Sequence, residues 1–200
     1  MRYLTCHQCA KEALYKCSVC GQPLCGEHSQ LRTVCLQCCK KSEINYRIEK
    51  ISEKEKAPIR GFVKRFWGEE EQLTFGRKFL VSELPGYVAK VEENIAGFIS
   101  FAAIKDATII VALAVLPEYQ TCGIAKHLVS KVQKEAANTG KKKLLVSTSN
   151  DDLPALGFYQ SQGFQIYEVK PDAIAEKHGR VLKGIGNLPM RDELRMRKEL

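Results

Sequence analysis

The sequence predicts a mixed α/β fold built on a central mixed sheet, set behind a small cysteine-rich segment. Three observations predict it. Eight of the nine cysteines lie between Cys6 and Cys39, and only Cys122 lies outside. Downstream, short apolar runs alternate with amphipathic stretches, the pattern of strands joined by crossover helices. One of those runs, IIVALAVL at 109–116, is apolar on both faces and reads as a buried central strand.

Length and composition bound the rest. With 200 residues, the chain holds one ordinary domain and one small one. A hydrophobic content of 44% is enough for a packed core and excludes a disordered chain. No apolar run approaches the length of a membrane span. The N-terminal MRYLTCHQC lacks the apolar stretch of a secretory signal, so a cytoplasmic location is expected. Thiols stay reduced there, and so many cysteines then argue for metal rather than disulfides. The formal charge of +8 favours a polyanionic ligand, nucleic acid or an acidic partner.

The cysteines come in pairs with two-residue gaps: Cys6 and Cys9, Cys17 and Cys20, Cys25 with His28, Cys35 and Cys38. Such a gap lets both side chains of a tight knuckle face one ion, and four pairs supply two tetrahedral zinc sites. In a cross-braced arrangement Cys6, Cys9, Cys25 and His28 share one zinc, and Cys17, Cys20, Cys35 and Cys38 share the other. Both sites would be closed, hence structural, and would supply folding energy that about 40 residues cannot bury. A single zinc, an iron–sulfur cluster and disulfides are the alternatives. His7 is read as a bystander, and Cys39 as an odd thiol beside Cys38. Two zinc ions and seven thiolates bring residues 1–43 to about zero net charge, so the positive charge belongs to the second domain. The spacing over residues 6–38 resembles B-box and HIT-type zinc fingers, which implies docking of a protein partner. The domains are therefore a zinc-binding module at 1–42 and a larger domain at 43–200.

The second domain opens on alternating Ile44, Tyr46 and Ile48, which suit a strand. Ser52 with Glu55 forms a capping box ahead of a helix through Phe62, Val63, Phe66 and Trp67. Tyr87–Val91 and Ile95–Ile104 suit a hairpin, followed by the strand Thr108–Leu116. Ile124, Leu128, Val129, Val132 and Ala136 recur at helical spacing, and Gly140 suits the helix end. Leu144–Ser149 is a strand, Asp151, Asp152 and Pro154 start a helix that stops near Gly163, and Phe164–Val169 is a strand again. The alternating tail MRDELRMRKEL reads as a last strand, with Glu193, Arg195 and Arg197 on its polar face. Residues 69–86 and 170–189 carry no readable motif.

Two stretches carry chemistry. Leu113-Ala114-Val115-Leu116-Pro117 is followed by Gln120, Gly123 and Ala125 and an amphipathic helix. Downstream, Asn150, Ala155, Tyr159, Gly163 and Phe164 recur at a fixed spacing. Together these resemble the two signatures of the GNAT family of N-acetyltransferases, over about residues 43–200. The resemblance implies the acyl-CoA N-acyltransferase fold, whose central strand splays from its neighbour. It implies that backbone groups at Leu113, Ala114 and Val115 pair with the pantetheine arm of acetyl-CoA and polarise the thioester. The diphosphate then meets backbone N–H groups of Gln120, Thr121, Cys122, Gly123, Ile124 and Ala125 at a helix N-terminus, with Lys126 adding charge. Asn150 is expected on the cofactor arm, and Tyr159 resembles the family's general acid, a phenol that protonates the leaving thiolate. Glu69, Glu70, Glu71 and Glu83 lie near the expected acceptor side, but no general base is identifiable. Cys122 is read as a small turn residue, not a nucleophile.

The leading expectation is an acetyl-CoA-dependent N-acetyltransferase acting on a primary amine, its zinc module docking a macromolecular acceptor. A non-catalytic acyl-CoA sensor or scaffold is the alternative. A nucleic-acid-binding adaptor ranks last, because Lys141, Lys142 and Lys143 lack an aromatic stacking platform.

Overall fold

A computed structural model describes residues 4–13, 15–16, 20–25, 27–28, 44–116, 119–120 and 122–200. The chain divides into two compact units, Met1–Ile44 and Asn45–Leu200. In the first, two-residue strands β1 (Tyr15–Lys16) and β2 (Pro23–Leu24) pair antiparallel. A bridge from Thr5 to Glu12 and a hydrogen bond from Cys6 N–H to the Lys11 carbonyl (2.8 Å) close the turn around Cys6 and Cys9. Leu24, Cys6 and Cys25 form the buried apolar material of this unit among the described residues. These three side chains alone cannot offset the entropy of ordering the described residues around them.

The second unit begins with β3 (Arg47–Lys50) and α1 (Glu53–Trp67). Ser52 and Glu55 form the capping box read from the sequence, and Gly68 ends the helix in the left-handed region. The hairpin β4 (Glu71–Thr74) and β5 (Arg77–Leu80) follows, then a 3₁₀ turn at Val81–Glu83. Strands β6 (Gly86–Val91), β7 (Asn94–Ala103) and β8 (Ala107–Val115) form an antiparallel meander. Helix α2 (Ile124–Asn138) crosses over to β9 (Lys143–Ser149), parallel to β8. Helix α3 (Leu153–Ser161), β10 (Gln165–Lys170), α4 (Ala173–His178), a ribbon of β11 (Leu182–Lys183) and β12 (Pro189–Met190), and β13 (Glu193–Glu199) complete the chain.

The main sheet runs β10-β13-β9-β8-β7-β6-β3, and the β8–β9 pair is its parallel step. Period-two alternation sends neighbouring residues to opposite faces. Val88, Phe98, Ala112 and Ala114 meet Ile59 and Val63 of α1. Ala89, Ile99, Ile110 and Val146 instead meet Leu128 and Val132 of α2 and Tyr159 of α3. On the α1 side, Phe75 and Phe79 of the hairpin cover Ile109 and Leu145. Strand β8 is thus flanked on both faces, as its uninterrupted apolar run requires.

Two stretches without a readable motif hold structure: the β4–β5 hairpin, α4 and the β11–β12 ribbon. The tail forms the expected strand, but Glu193 departs from the polar-face reading. It is 5% exposed. Its carboxylate accepts from the Phe75 N–H (3.1 Å) and pairs with Arg195 (2.8 Å). The hairpin laid over the sheet buries a position that strand alternation alone exposes.

One ionic cluster pins α1 to the sheet edge. Lys90 of β6 is buried and pairs with Glu55 at 2.9 Å and with Glu49 of β3 at 2.8 Å. Burial works against the Glu55 carboxylate, yet Ser52 and Lys90 together outweigh it and hold Glu55 at about 2, below its ordinary 4.5. A depressed folded-state value contributes stability above the unfolded value, which is lost as pH falls through the folded one. The urea midpoint should therefore fall as pH drops from 4.5 toward 2, and Glu55→Gln should flatten that dependence. Lys90→Met, which strands Glu55, should lower unfolding stability at neutral pH by about 3–5 kcal/mol.

Candidate functional site

Strands β8 and β9 pair only from Ala107 with Lys143 to Ile110 with Val146. Beyond that point each follows another neighbour. β8 continues against β7 to Val115, and β9 pairs along its whole length with β13. A register shift between Ser100 and Phe101 marks where β8 changes course. The result is an opening inside the sheet. The Leu116 N–H donates to the Ala96 carbonyl of β7 (2.8 Å), so Ala114 also faces β7, while Leu113 and Val115 turn their backbone groups toward the opening. The Val115 carbonyl already accepts the Gln120 side-chain amide (3.1 Å). Gln120 therefore acts here on the protein's own strand end.

Past β8 the chain turns into α2. Gly123 is its N-cap, at φ +83°, a left-handed conformation that a Cβ strains. No side chain caps this end and no carboxylate lies in the first turn. The first backbone N–H groups of α2 thus lack a helical partner at the positive end of the dipole. Ile124 is buried, so its backbone alone can serve a ligand, whereas Lys126 is exposed. The Cys122 thiol donates to the Gln120 carbonyl (3.6 Å). Tyr46 and His127 hydrogen-bond each other beside the turn, and a Cβ on Gly123 would lie 3.7 Å from the Tyr46 hydroxyl. Thr121 lies outside the described residues.

Tyr159 sits on α3, 6% exposed, with its ring edge-on to Phe158 and Phe164. Burial, with the Asp152 carboxylate second, pushes its phenol well above the ordinary tyrosine value. It stays protonated at neutral pH, the state needed to donate. The Asp152 side chain caps α3 by accepting the Ala155 N–H (3.0 Å).

A cavity of about 360 Å³ lies beside Tyr159 where β8 and β9 part. Ile110 to Leu113, Val146 to Ser149 and Tyr159 line one part of it. Phe66 and Trp67 at the end of α1, Glu69 after it, Gln72 of the hairpin, and Lys177 and His178 of α4 line another. Of the four upstream glutamates, Glu69 reaches this wall, paired with Lys177. Glu70 pairs with Lys64 (2.8 Å), and Glu83 with Lys56 (2.8 Å). Sequence reasoning missed Lys177, His178 and Glu193, which lie in stretches without a motif or behind a strand pattern that called for exposure.

The Asn150 side chain bonds neighbouring backbone. Its amide donates to the Pro189 carbonyl (2.8 Å), and its carbonyl accepts the Arg191 and Asp192 N–H groups (both 2.8 Å). Next to it, buried Asp151 accepts the Ile185 N–H (2.8 Å), and a Cβ at Gly184 would overlap that carboxylate. These two residues moor the β11–β12 ribbon, which adds Leu182 and Met190 to the cavity wall.

In the first unit, Cys6, Cys9, Cys25 and His28 gather their ligand atoms within 4.8 Å of one another. Cys25 Sγ lies 3.2 Å from His28 Nδ1, and Cys9 Sγ 3.8 Å from Cys25 Sγ. Burial disfavours the Cys6 thiolate, but the backbone of Cys25, Gln8 and Cys9 prevails and brings the thiol down to about 6. Three sulfurs and one imidazole in a closed knuckle suit tetrahedral zinc. Of the other four candidates, Cys17, Cys35 and Cys38 lie outside the described residues, and Cys20 is exposed.

Comparison with known proteins agrees with this geometry. The family model described as "Acetyltransferase (GNAT) family" matches residues 48–164. The uncharacterized protein YxbD of Bacillus subtilis (strain 168) is 28% identical over 147 residues, covering 71% of this chain and 91% of YxbD. A Bacillus subtilis acetyltransferase solved in complex with CoA shares the fold at a TM-score of 0.59 and 21% identity, over 78% of this chain and 99% of that one. A GNAT family acetyltransferase from Elizabethkingia anophelis with acetyl-CoA bound does so at 0.59 and 20%, over the same shares. Because the matched segment takes in the parted strands, the turn into α2 and Tyr159 together, and covers more than half of the chain, the protein belongs to the acetyltransferase (GNAT) family and is an acetyl-CoA-dependent acyltransferase.

Proposed function

We propose that the second unit transfers the acetyl group of acetyl-CoA to a primary amine on a protein or other macromolecule. The observation that supports this most is the parting of β8 and β9 beyond Ile110 and Val146, with Tyr159 lining the gap. In this reading the pantetheine arm pairs with the backbone of Leu113 and the N–H of Val115 as an added strand. The diphosphate lies at the N-terminus of α2, on the N–H groups from Cys122 to Ala125 and beside Lys126. The amine attacks the thioester carbonyl, the C–S bond breaks, and the Tyr159 hydroxyl protonates the leaving thiolate. Its raised value, caused first by burial, keeps that proton in place across the neutral range. The Cys6, Cys9, Cys25 and His28 cluster holds a structural zinc ion, with a second ion at the remaining cysteine pairs. The zinc module docks the acceptor, and the protein works in the cytoplasm.

Three outcomes test this reading. Tyr159→Phe should lower kcat by roughly a hundredfold while acetyl-CoA affinity by calorimetry stays within about twofold. An unchanged rate would instead mark a sensor or another acid. Gly123→Glu places a strained backbone and a negative charge where the diphosphate binds. It should weaken acetyl-CoA by at least about tenfold, about 1.4 kcal/mol, without loss of fold by circular dichroism. Elemental analysis should find zinc in the purified protein, and Cys25→Ser should remove about one equivalent per chain.

A further inference from the structure

The acceptor part of the cavity already contains an amine. Among the described residues that line it, Lys177 of α4 is the one lysine or arginine. Its side chain is 20% exposed, so it lies inward from the surface, and its ammonium is held by Glu69. Glu69 is less enclosed, at 42% exposed, and faces the same space. The aromatic pair Phe66 and Trp67 lines the same cavity. Helix α4 is a single short turn whose first residues hang on the Arg191 carbonyl through the N–H groups of Ile174 (2.8 Å) and Ala175 (3.1 Å). Lys177 therefore projects from a fixed base on a flexible four-carbon stem. Lys177 and Tyr159 line the same cavity, within which a four-carbon stem can change rotamer.

From this placement we infer that Lys177 is a substrate of its own active site: the protein acetylates Lys177, and the Glu69–Lys177 pair marks the seat of the acceptor ammonium. The inference rests on the transferase reading above. The chemistry balances without a further reagent. The pair opens, and Nζ gives one proton to solvent. Its lone pair attacks the acetyl carbonyl and the C–N bond forms as the C–S bond breaks; the nitrogen sheds its second proton to solvent, and the thiolate takes one from the Tyr159 hydroxyl, which solvent restores, to leave as CoA. The product is a neutral amide at Lys177 and an unpaired Glu69 carboxylate facing the acceptor space. That carboxylate then receives the ammonium of an incoming amine. Self-acetylation thus removes an internal competitor from the acceptor seat.

The test is to incubate the full-length protein with acetyl-CoA alone and follow each lysine by peptide mass spectrometry. Lys177 should become acetylated ahead of exposed lysines such as Lys126. Its rate constant should not depend on protein concentration, as an intramolecular step requires. The rate should fall at least about tenfold in Tyr159→Phe. Glu69→Gln, which loosens the pair, should speed labelling of Lys177 severalfold. In the same samples, acetyl-CoA binding and turnover on an added amine library are measured. Lys177 left unmodified while added amines are acetylated would overturn the inference and leave the transferase reading standing. Lys177 modified no faster than Lys126, or equally fast in Tyr159→Phe, would also overturn it. Loss of binding and of turnover on every amine would instead remove the reading beneath it.

Discussion

The second unit depends on one broken pairing. β8 and β9 begin as parallel neighbours and separate after Ile110 and Val146. An open edge inside a sheet is costly, because buried backbone donors and acceptors without partners lose about 1–3 kcal/mol each. It persists because each strand is held more extensively elsewhere. β8 is paired with β7 from Ala103 to Gly97, and β9 with β13 from Lys143 to Ser149. The two halves of the sheet are separately satisfied, and the opening between them is the remainder. Leu113 and Tyr159 line the cavity at that opening.

The surroundings of the opening are held by buried polar contacts rather than by apolar packing alone. Glu193 collects the Phe75 N–H and Arg195, and Thr74 bonds Ser147 (2.6 Å), so the β4–β5 hairpin is fixed onto β9 and β13. Asn150 and Asp151 hold the ribbon and the start of β13. A polar group buried without its partner is expensive, so each of these contacts specifies one position for a segment that has little core of its own. This is how stretches of weak local preference come to form reliable walls.

The first unit solves a different problem. Among its described residues few apolar groups are buried, and Cys6, Cys9, Cys25 and His28 converge there. In the proposed reading a metal held by these ligand atoms takes the place of a core. The proposed docking role fits the near-zero net charge of its metallated form, which leaves surface shape rather than a basic field to choose a partner.

Local physical rules were enough for much of this protein. The capping box at Ser52, the doubly buried run in β8, the helical period of α2 and the knuckle spacing of the cysteines each depend on residues near one another in the chain. The cavity is different. Glu69 and Lys177 meet across 108 positions, and Thr74 and Glu193 across 119. No local pattern encodes such meetings, because loop segments are placed by what they rest on. Asn150 likewise bonds the backbone of Pro189, Arg191 and Asp192, about 40 positions away in the chain. The sequence by itself determined the strands of the main sheet, the three longer helices and the knuckle spacing of Cys6, Cys9, Cys25 and His28, since spacing and periodicity act at short range. Only the tertiary structure decided which strand pair separates, which charges share the cavity and which polar residues merely hold its walls, since those outcomes depend on partners far away in the chain.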